Sequence, residues 1–276
     1  MSTPAVVPNL HLDRWIGSAI GLILIGLALR SVVTNPHFEW GIVGRYIFSP
    51  VILDGVLRTL EFTAIGMTLG ILIGIIVALM RLSDNFVLQS ISTVYIAAFR
   101  GTPLLVQLLF WFNIAALYPT LTLAIPFGPT LWSISANTLV TPLSAAMLGL
   151  GLNEGAYMAE IVRAGMLGVD RGQRDAALSL GMTRLQVIGE IVLPQAMRLI
   201  IPPTGNQVIS MLKSTSLISI LAITELLYSA QLIYSRTFQT IPLLLVASIW
   251  YLVITSLLSV LQSQLERRVG RGFRIR

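Results

Sequence analysis

Long apolar runs separated by short polar stretches dominate the chain. A helix needs about 20 mostly apolar residues to cross the hydrocarbon core of a bilayer. Six runs meet that length, at residues 15–33, 55–80, 89–117, 142–164, 199–226 and 240–262. The third contains Arg100-Gly101-Thr102-Pro103, and the fifth holds Pro202-Pro203 early. No strongly basic leader and no small-x-small cleavage site precede Pro36, so the first run reads as a retained span rather than a signal peptide. Between the third and fourth runs lies an outer loop with Pro119, Pro126 and Pro129, and residues 101 through 153 carry no charge at all. The pattern predicts an all-α integral membrane protein with about six transmembrane helices.

Composition agrees. Of 276 residues, 55% are hydrophobic and 11% charged, far below the roughly 25% charged of soluble domains. The net charge of +6 does not point to nucleic acid, because the arginines sit at the ends of apolar runs. Arg14, Arg81, Arg163, Arg171, Arg174, Arg184, Arg198 and the tail arginines Arg267, Arg268, Arg271, Arg274 and Arg276 fall on one side if six spans are right. The positive-inside rule makes that side cytoplasmic, with the C-terminus on it. The absence of cysteine excludes disulfides, thiolate metal sites and cysteine nucleophiles.

The loop of residues 165–194 breaks the apolar pattern. It reads as two short helices, about 171–180 and 183–191, turned at Gly181, with Thr183 as N-cap and Pro194 closing the second. Ala176, Ala177 and Leu180 form one apolar face; Leu185, Ile188 and Ile191 form another at helical spacing. Such an element buries its face on its own helix ends, in the lipid interface, or on a soluble partner.

The pattern Asp175-Ala176-Ala177, Gly181, Ile191-x-Leu193-Pro194 resembles the "EAA" loop of ATP-binding-cassette (ABC) importer permeases. So do "FRGTPLLVQL" (99–108), "GAYMAEIVRAG" (155–165), "GQRDAALSLGM" (172–182), "LPQAMR" (193–198), "PPTGNQVISMLKSTSL" (202–217) and "TEL" (224–226), which are similar to the polar amino-acid uptake branch. The resemblance covers roughly residues 50–265. It implies a five-helix type I permease domain over 51–265 with a coupling loop at 165–194. Residues 1–50, with an extra span, and the basic tail 266–276 lie outside it. The coupling helix of that family enters a cleft of a cytoplasmic ATPase, and here Asp175, Ala176, Ala177, Gly181, Leu185, Ile191 and Pro194 would carry that contact. Asp175 replaces the family's usual glutamate and is one methylene shorter. The implied partners are an ATPase dimer, a second permease of the same or a related chain, and an extracytoplasmic amino-acid-binding protein. The implied location is a bacterial inner membrane.

A P-loop needs a lysine on the phosphates. The single lysine, Lys213, follows Leu212 inside a predicted span. ATP hydrolysis and its Mg are therefore expected on a separate polypeptide, with no cofactor on this chain. Charged side chains inside spans face protein or water. A zwitterionic ligand needs a cation and an anion, and a broken helix exposes backbone to a cavity. On these grounds Glu61, Arg100, Thr102, Glu154, Asn206 and Lys213 are candidates for the substrate path, against the alternative of structural ion pairs. Glu160 and Arg163 are expected to brace the loop. Gly66, Gly70 and Gly74 share one helical face, as a packing seam within the chain or between subunits. A membrane enzyme is disfavoured: the histidines, His11 and His37, lie outside the motif-bearing region. The rival reading is a secondary transporter or channel, which needs no ATPase dock.

Overall fold

The computed structural model describes residues 12–125 and 129–269. Helix α1 (Leu12–Thr34) is followed by a 3-10 turn (Pro36–Phe38) and the short α2 (Trp40–Tyr46). Then come the long α3 (Pro50–Leu82) and the pair α4 (Phe86–Gly101) and α5 (Leu104–Phe112). The outer segment holds α6 (Ile114–Leu117), strands β1 (Thr120–Ala124) and β2 (Thr130–Ser135), and α7 (Ala136–Leu139). Helix α8 (Pro142–Leu167) and the loop helix α9 (Arg171–Ser179) precede α10 (Arg184–Gln186), a π turn (Val187–Val192), α11 (Leu193–Ser214) and a 3-10 stretch (Thr215–Leu221). The described residues end with α12 (Leu226–Thr237) and α13 (Thr240–Val269).

Local chemistry sets the starts. Pro50 and Pro142 occupy first turns, where their missing N–H has no helical partner to lose. Thr141 and Ser144 close a capping box on α8, and Asn85 Oδ1 accepts from Val87 N at 2.9 Å at the head of α4.

Among the described residues four helices are long and apolar enough to cross a membrane, and five when the α4–α5 pair, bent by 105°, is taken as one span. The expected fourth span, α8, has the length but carries Glu154, Glu160 and Arg163. It sits centrally, packed along α3, so much of its surface meets protein rather than lipid. The glycine seam is the reason the two helices lie so close. A Cβ on Gly70 would stand 2.5 Å from Glu154 Cγ, and one on Gly74 2.4 Å from Met158 Cβ. The seam of Gly66, Gly70 and Gly74 thus faces α8 and α11 of its own chain.

Two cores flank this axis. Ile52, Val56, Leu212, Leu226, Leu243 and Val246 join α3, α11, α12 and α13. Phe62, Leu108, Leu150, Met158, Met211 and Ile218 join α3, α5, α8, α11 and the 3-10 stretch after it. The Trp250 indole donates to the Ile47 carbonyl at 2.7 Å and ties the end of α2 to α13. In contrast, α1 is 0% buried over Trp15–Thr34. An indole bond near its end, Trp40 Nε1 to the Val32 carbonyl at 3.1 Å, links it to α2.

Within the proline-bearing outer loop, β1 and β2 pair antiparallel, with Thr120 opposite Ser135 and an irregularity after Leu123. Pro126 lies outside the described residues, as do His11 and the arginines at 271, 274 and 276. One expectation is corrected: Pro194 does not close a helix. The helix runs unbroken from Arg184 to Leu221. Proline lacks the N–H that would bond back one turn. The wider π turn just before it and the Gln195 amide, which donates to the Ile191 carbonyl at 2.9 Å, keep the helix going.

Candidate translocation cavity and coupling loop

The sequence Arg100-Gly101-Thr102-Pro103 breaks a helix for a definite reason. Proline cannot donate a helical bond and pushes the residue before it out of the α region. Thr102 accordingly is extended, with φ −118 and ψ 145, and Pro103 caps α5. The break frees carbonyls, and buried amides take them up. Gln107 Nε2 donates to the Phe99 carbonyl at 2.9 Å and to Thr102 Oγ1 at 2.8 Å. From α8, Asn153 Nδ2 donates to the same Phe99 carbonyl at 3.0 Å and to Gln107 Oε1 at 3.2 Å. The Tyr95 hydroxyl donates to the Leu152 carbonyl at 2.6 Å. The bend is therefore clamped to the middle of α8.

A cavity of about 620 Å³ opens at this clamp. Arg100, Thr102, Asn153, Glu154 and Tyr157 line one side; Gln207, Ser210 and Ser214 of α11 line the other. The Arg100 guanidinium carbon lies 5.2 Å from the centroid of the Tyr157 ring, a cation–π contact. Glu154 is 5% exposed, pressed against Gly70. Its Oε1 is buried and has no hydrogen-bond partner among the described residues. A buried polar oxygen left unpaired is costly, and this one is closed off from solvent by the surrounding helices. Arg100, the Glu154 carboxyl and several hydroxyl and amide groups thus surround one space.

Of the six residues expected on a substrate path, the fold brings Arg100, Thr102 and Glu154 to this cavity. Glu61 instead bonds Arg58 at 3.0 Å on the exposed side of α3. Asn206 and Lys213 are exposed on α11, outside the lining. Their neighbours Gln207 and Ser214 line it, because one residue along a helix turns the side chain by about 100°. Asn153, Tyr157, Gln207, Ser210 and Ser214 carry no charge and so do not stand out in the sequence. The spacing of Gln207, Ser210 and Ser214, three and then four residues apart, is the one signal that could have found them.

A second buried carboxylate behaves differently. Glu225 caps α12, accepting from Leu227 N at 2.9 Å, Tyr228 N at 2.7 Å and the Tyr251 hydroxyl at 2.7 Å. Beside it Thr59 Oγ1 accepts from Leu226 N at 3.1 Å.

The loop after α8 is folded back on the helix ends. Ala177, Val187 and Val192 are buried with Val169, Ala196 and Ile200, and Ile191 is half-buried beside them. Arg174 donates to the Met166 carbonyl. Thr183 and Gln186 form a capping box, with Gln186 Oε1 accepting from Thr183 N at 2.9 Å. Gly181 has φ +83, and a Cβ there would meet no atom within 4 Å, so its turn requires glycine for its backbone angle and not for space. The most outward of its apolar side chains are Leu180, 83% exposed, and Leu185, 82% exposed, among the exposed charged side chains of Arg171, Arg184 and Glu190. Asp175, Ala176 and Pro194 are exposed as well.

Comparison with known proteins resolves what such a chain is. The family described as "binding-protein-dependent transport system inner membrane component" matches residues 70–271. The chain belongs to that family. The arginine transport system permease protein of Corynebacterium glutamicum is 42% identical to it, over 96% of this chain and 83% of the relative. The L-cystine transport system permease protein of Bacillus subtilis is 36% identical, over 88% of this chain and 96% of the relative. A crystal structure of an amino acid ABC transporter with histidines superposes with a TM-score of 0.68 at 36% identity, covering 80% of this chain and 95% of that one. The cavity and the loop are thus features of an inner-membrane component of a binding-protein-dependent transport system.

Proposed function

We propose that this chain is the permease subunit of an ATP-driven importer of polar amino acids. Residues 51–265 form the permease domain, with α8 crossing the membrane as a sixth span beside α1 and the four others. Residues 1–50 are an addition to that domain, and 266–276 a basic tail on the cytoplasmic side. The single observation that carries the reading is the pairing of one cation, Arg100, with one unpartnered buried carboxylate, Glu154, in a cavity at a helix break. Arg100 holds the ligand's carboxylate, Glu154 its ammonium, and Thr102, Gln207 and Ser210 orient the rest. The low dielectric around the buried carboxylate strengthens its contact with the ammonium.

The apolar knob of Leu180 and Leu185 docks on a separate ATPase, and Asp175, Ala176, Gly181 and Pro194 frame it. Ala177 and Ile191 anchor the knob to the helix ends. The ATPase supplies nucleotide hydrolysis. Closing of two ATPase subunits draws together the knobs of two permease subunits, this chain twice or this chain and a relative. The helix from Arg184 to Leu221 carries that motion from the knob to the cavity wall. The cavity then opens to an extracytoplasmic binding protein.

Reconstitution with the cognate ATPase and binding protein tests this. Uptake of L-arginine, L-histidine or L-glutamine into proteoliposomes requires ATP and all three components. Uptake driven by an ion gradient, with the ATPase absent, overturns the proposal. Gly181→Asp leaves the chain in the membrane but abolishes uptake and ATPase co-purification, because an L side chain at φ +83 distorts the knob. Full coupling in that variant removes the docking role of the loop.

A further inference from the structure

Next to the first cavity, toward the loop end of α8, lies a second of about 510 Å³. Glu160 and Ala164 of α8 and Leu199 and Pro203 of α11 line it. Three residues border both chambers: Arg100, Tyr157 and Gln207. Each chamber has one carboxylate, Glu154 in the first and Glu160 in the second, and Arg100 is the one cation lining either among the described residues. Six residues separate the two carboxylates on α8, about 9 Å along the helix axis.

The two carboxylates are not equivalent. Glu154 is buried, with an unpartnered oxygen. Glu160 is half-buried and already bonded to Arg163 at 2.7 Å. An ammonium group therefore binds strongly at the first and weakly at the second. A ligand held between a cation and a buried anion leaves slowly unless a replacement partner is within reach. Multi-site paths solve that problem by offering a weaker site next to a stronger one.

We propose that the second chamber is an exit station for the same amino acid, resting on the reading of the first chamber given above. Arg100 is the pivot. Its long stem rises from the last turn of α4, beside the break, and its guanidinium faces both chambers across Tyr157. The guanidinium keeps the ligand's carboxylate while the ammonium passes from Glu154 to Glu160. Arg163 then regains Glu160 as the ligand departs.

The chain has no cysteine, so single reporters can be placed without removing any. Ser210→Cys reports on the first chamber; Ala164→Cys and Leu199→Cys report on the second. The complete transporter in proteoliposomes is labelled with a small methanethiosulfonate, with and without whichever of L-arginine, L-histidine and L-glutamine it takes up. At ten times the first chamber's dissociation constant, labelling slows about tenfold at Ser210→Cys and by a smaller, measurable factor at Ala164→Cys and Leu199→Cys. Adding Glu160→Gln removes protection at Ala164→Cys and Leu199→Cys and leaves it at Ser210→Cys. Protection at Ser210→Cys alone overturns the exit station while leaving the first chamber's role intact. Protection in the second chamber that survives Glu160→Gln also overturns it. Protection in neither chamber overturns the cavity reading, and the station with it.

Discussion

Two glutamates of this chain are buried, and they are buried in opposite ways. Glu225 is enclosed by donors: two backbone N–H groups at the head of α12 and the Tyr251 hydroxyl. It completes a helix end that would otherwise leave amides unpaired where no water can reach them. Glu154 sits on α8 in a wall of the cavity with Oε1 unpartnered. Both appear in the sequence as a lone acidic residue in an apolar run. Burial alone does not separate structure from function; satisfaction of the hydrogen-bonding groups does.

That contrast can be broken by substitution. The largest effect is expected for Glu225→Ala, which strips two backbone donors and a hydroxyl of their acceptor. It lowers stability by roughly 3 kcal/mol or more, read as loss of the chain from the membrane fraction and a lower melting temperature in detergent. Normal levels and melting would place Glu225 outside the fold's support. Next comes Glu154→Gln. It weakens amino-acid binding by about a hundredfold, about 2.7 kcal/mol, while leaving the melting temperature close to that of the parent, because Glu154 Oε1 makes no hydrogen bond to lose. If melting falls as it does for Glu225→Ala, the two glutamates are alike and the contrast is lost. The smallest effect sharpens the picture. Tyr251→Phe removes one of the three donors to Glu225 and is expected to lower stability by about 1 kcal/mol without changing uptake kinetics.

Much of the architecture was legible because the bilayer imposes a length and a polarity on every crossing segment. The runs at 15–33, 55–80 and 240–262 correspond to α1, α3 and α13, the first two extended at both ends and α13 at its C-terminal end only. The break at Arg100–Pro103 was legible from glycine and proline chemistry, although its sharpness, a 105° bend, was not. Pro194 misled because a proline signals a helix end locally, whereas a π turn before it and the Gln195 amide after it repair the gap. The cavity was half legible. Arg100 and Glu154 announced themselves by charge, but Asn153, Tyr157, Gln207 and Ser210 are ordinary polar residues whose convergence depends on how three helices pack. Lys213 and Asn206 show the limit of charge as a guide: they have the conspicuous chemistry but stand on an adjacent face of α11.

The unbroken helix from Arg184 to Leu221 has a mechanical corollary. It counts 38 residues, about 57 Å of continuous rod at roughly 1.5 Å per residue. Its near end carries Leu185 and its far half borders the polar chamber. Displacing the first therefore tilts the second, and resistance is set by side-chain interlock with α3, α8 and α13, with the π turn and Pro202-Pro203 as the irregular points along the way. A single glycine pair inserted midway, near Val208, would turn that rod into a flail: gripping at one end would no longer be felt at the other.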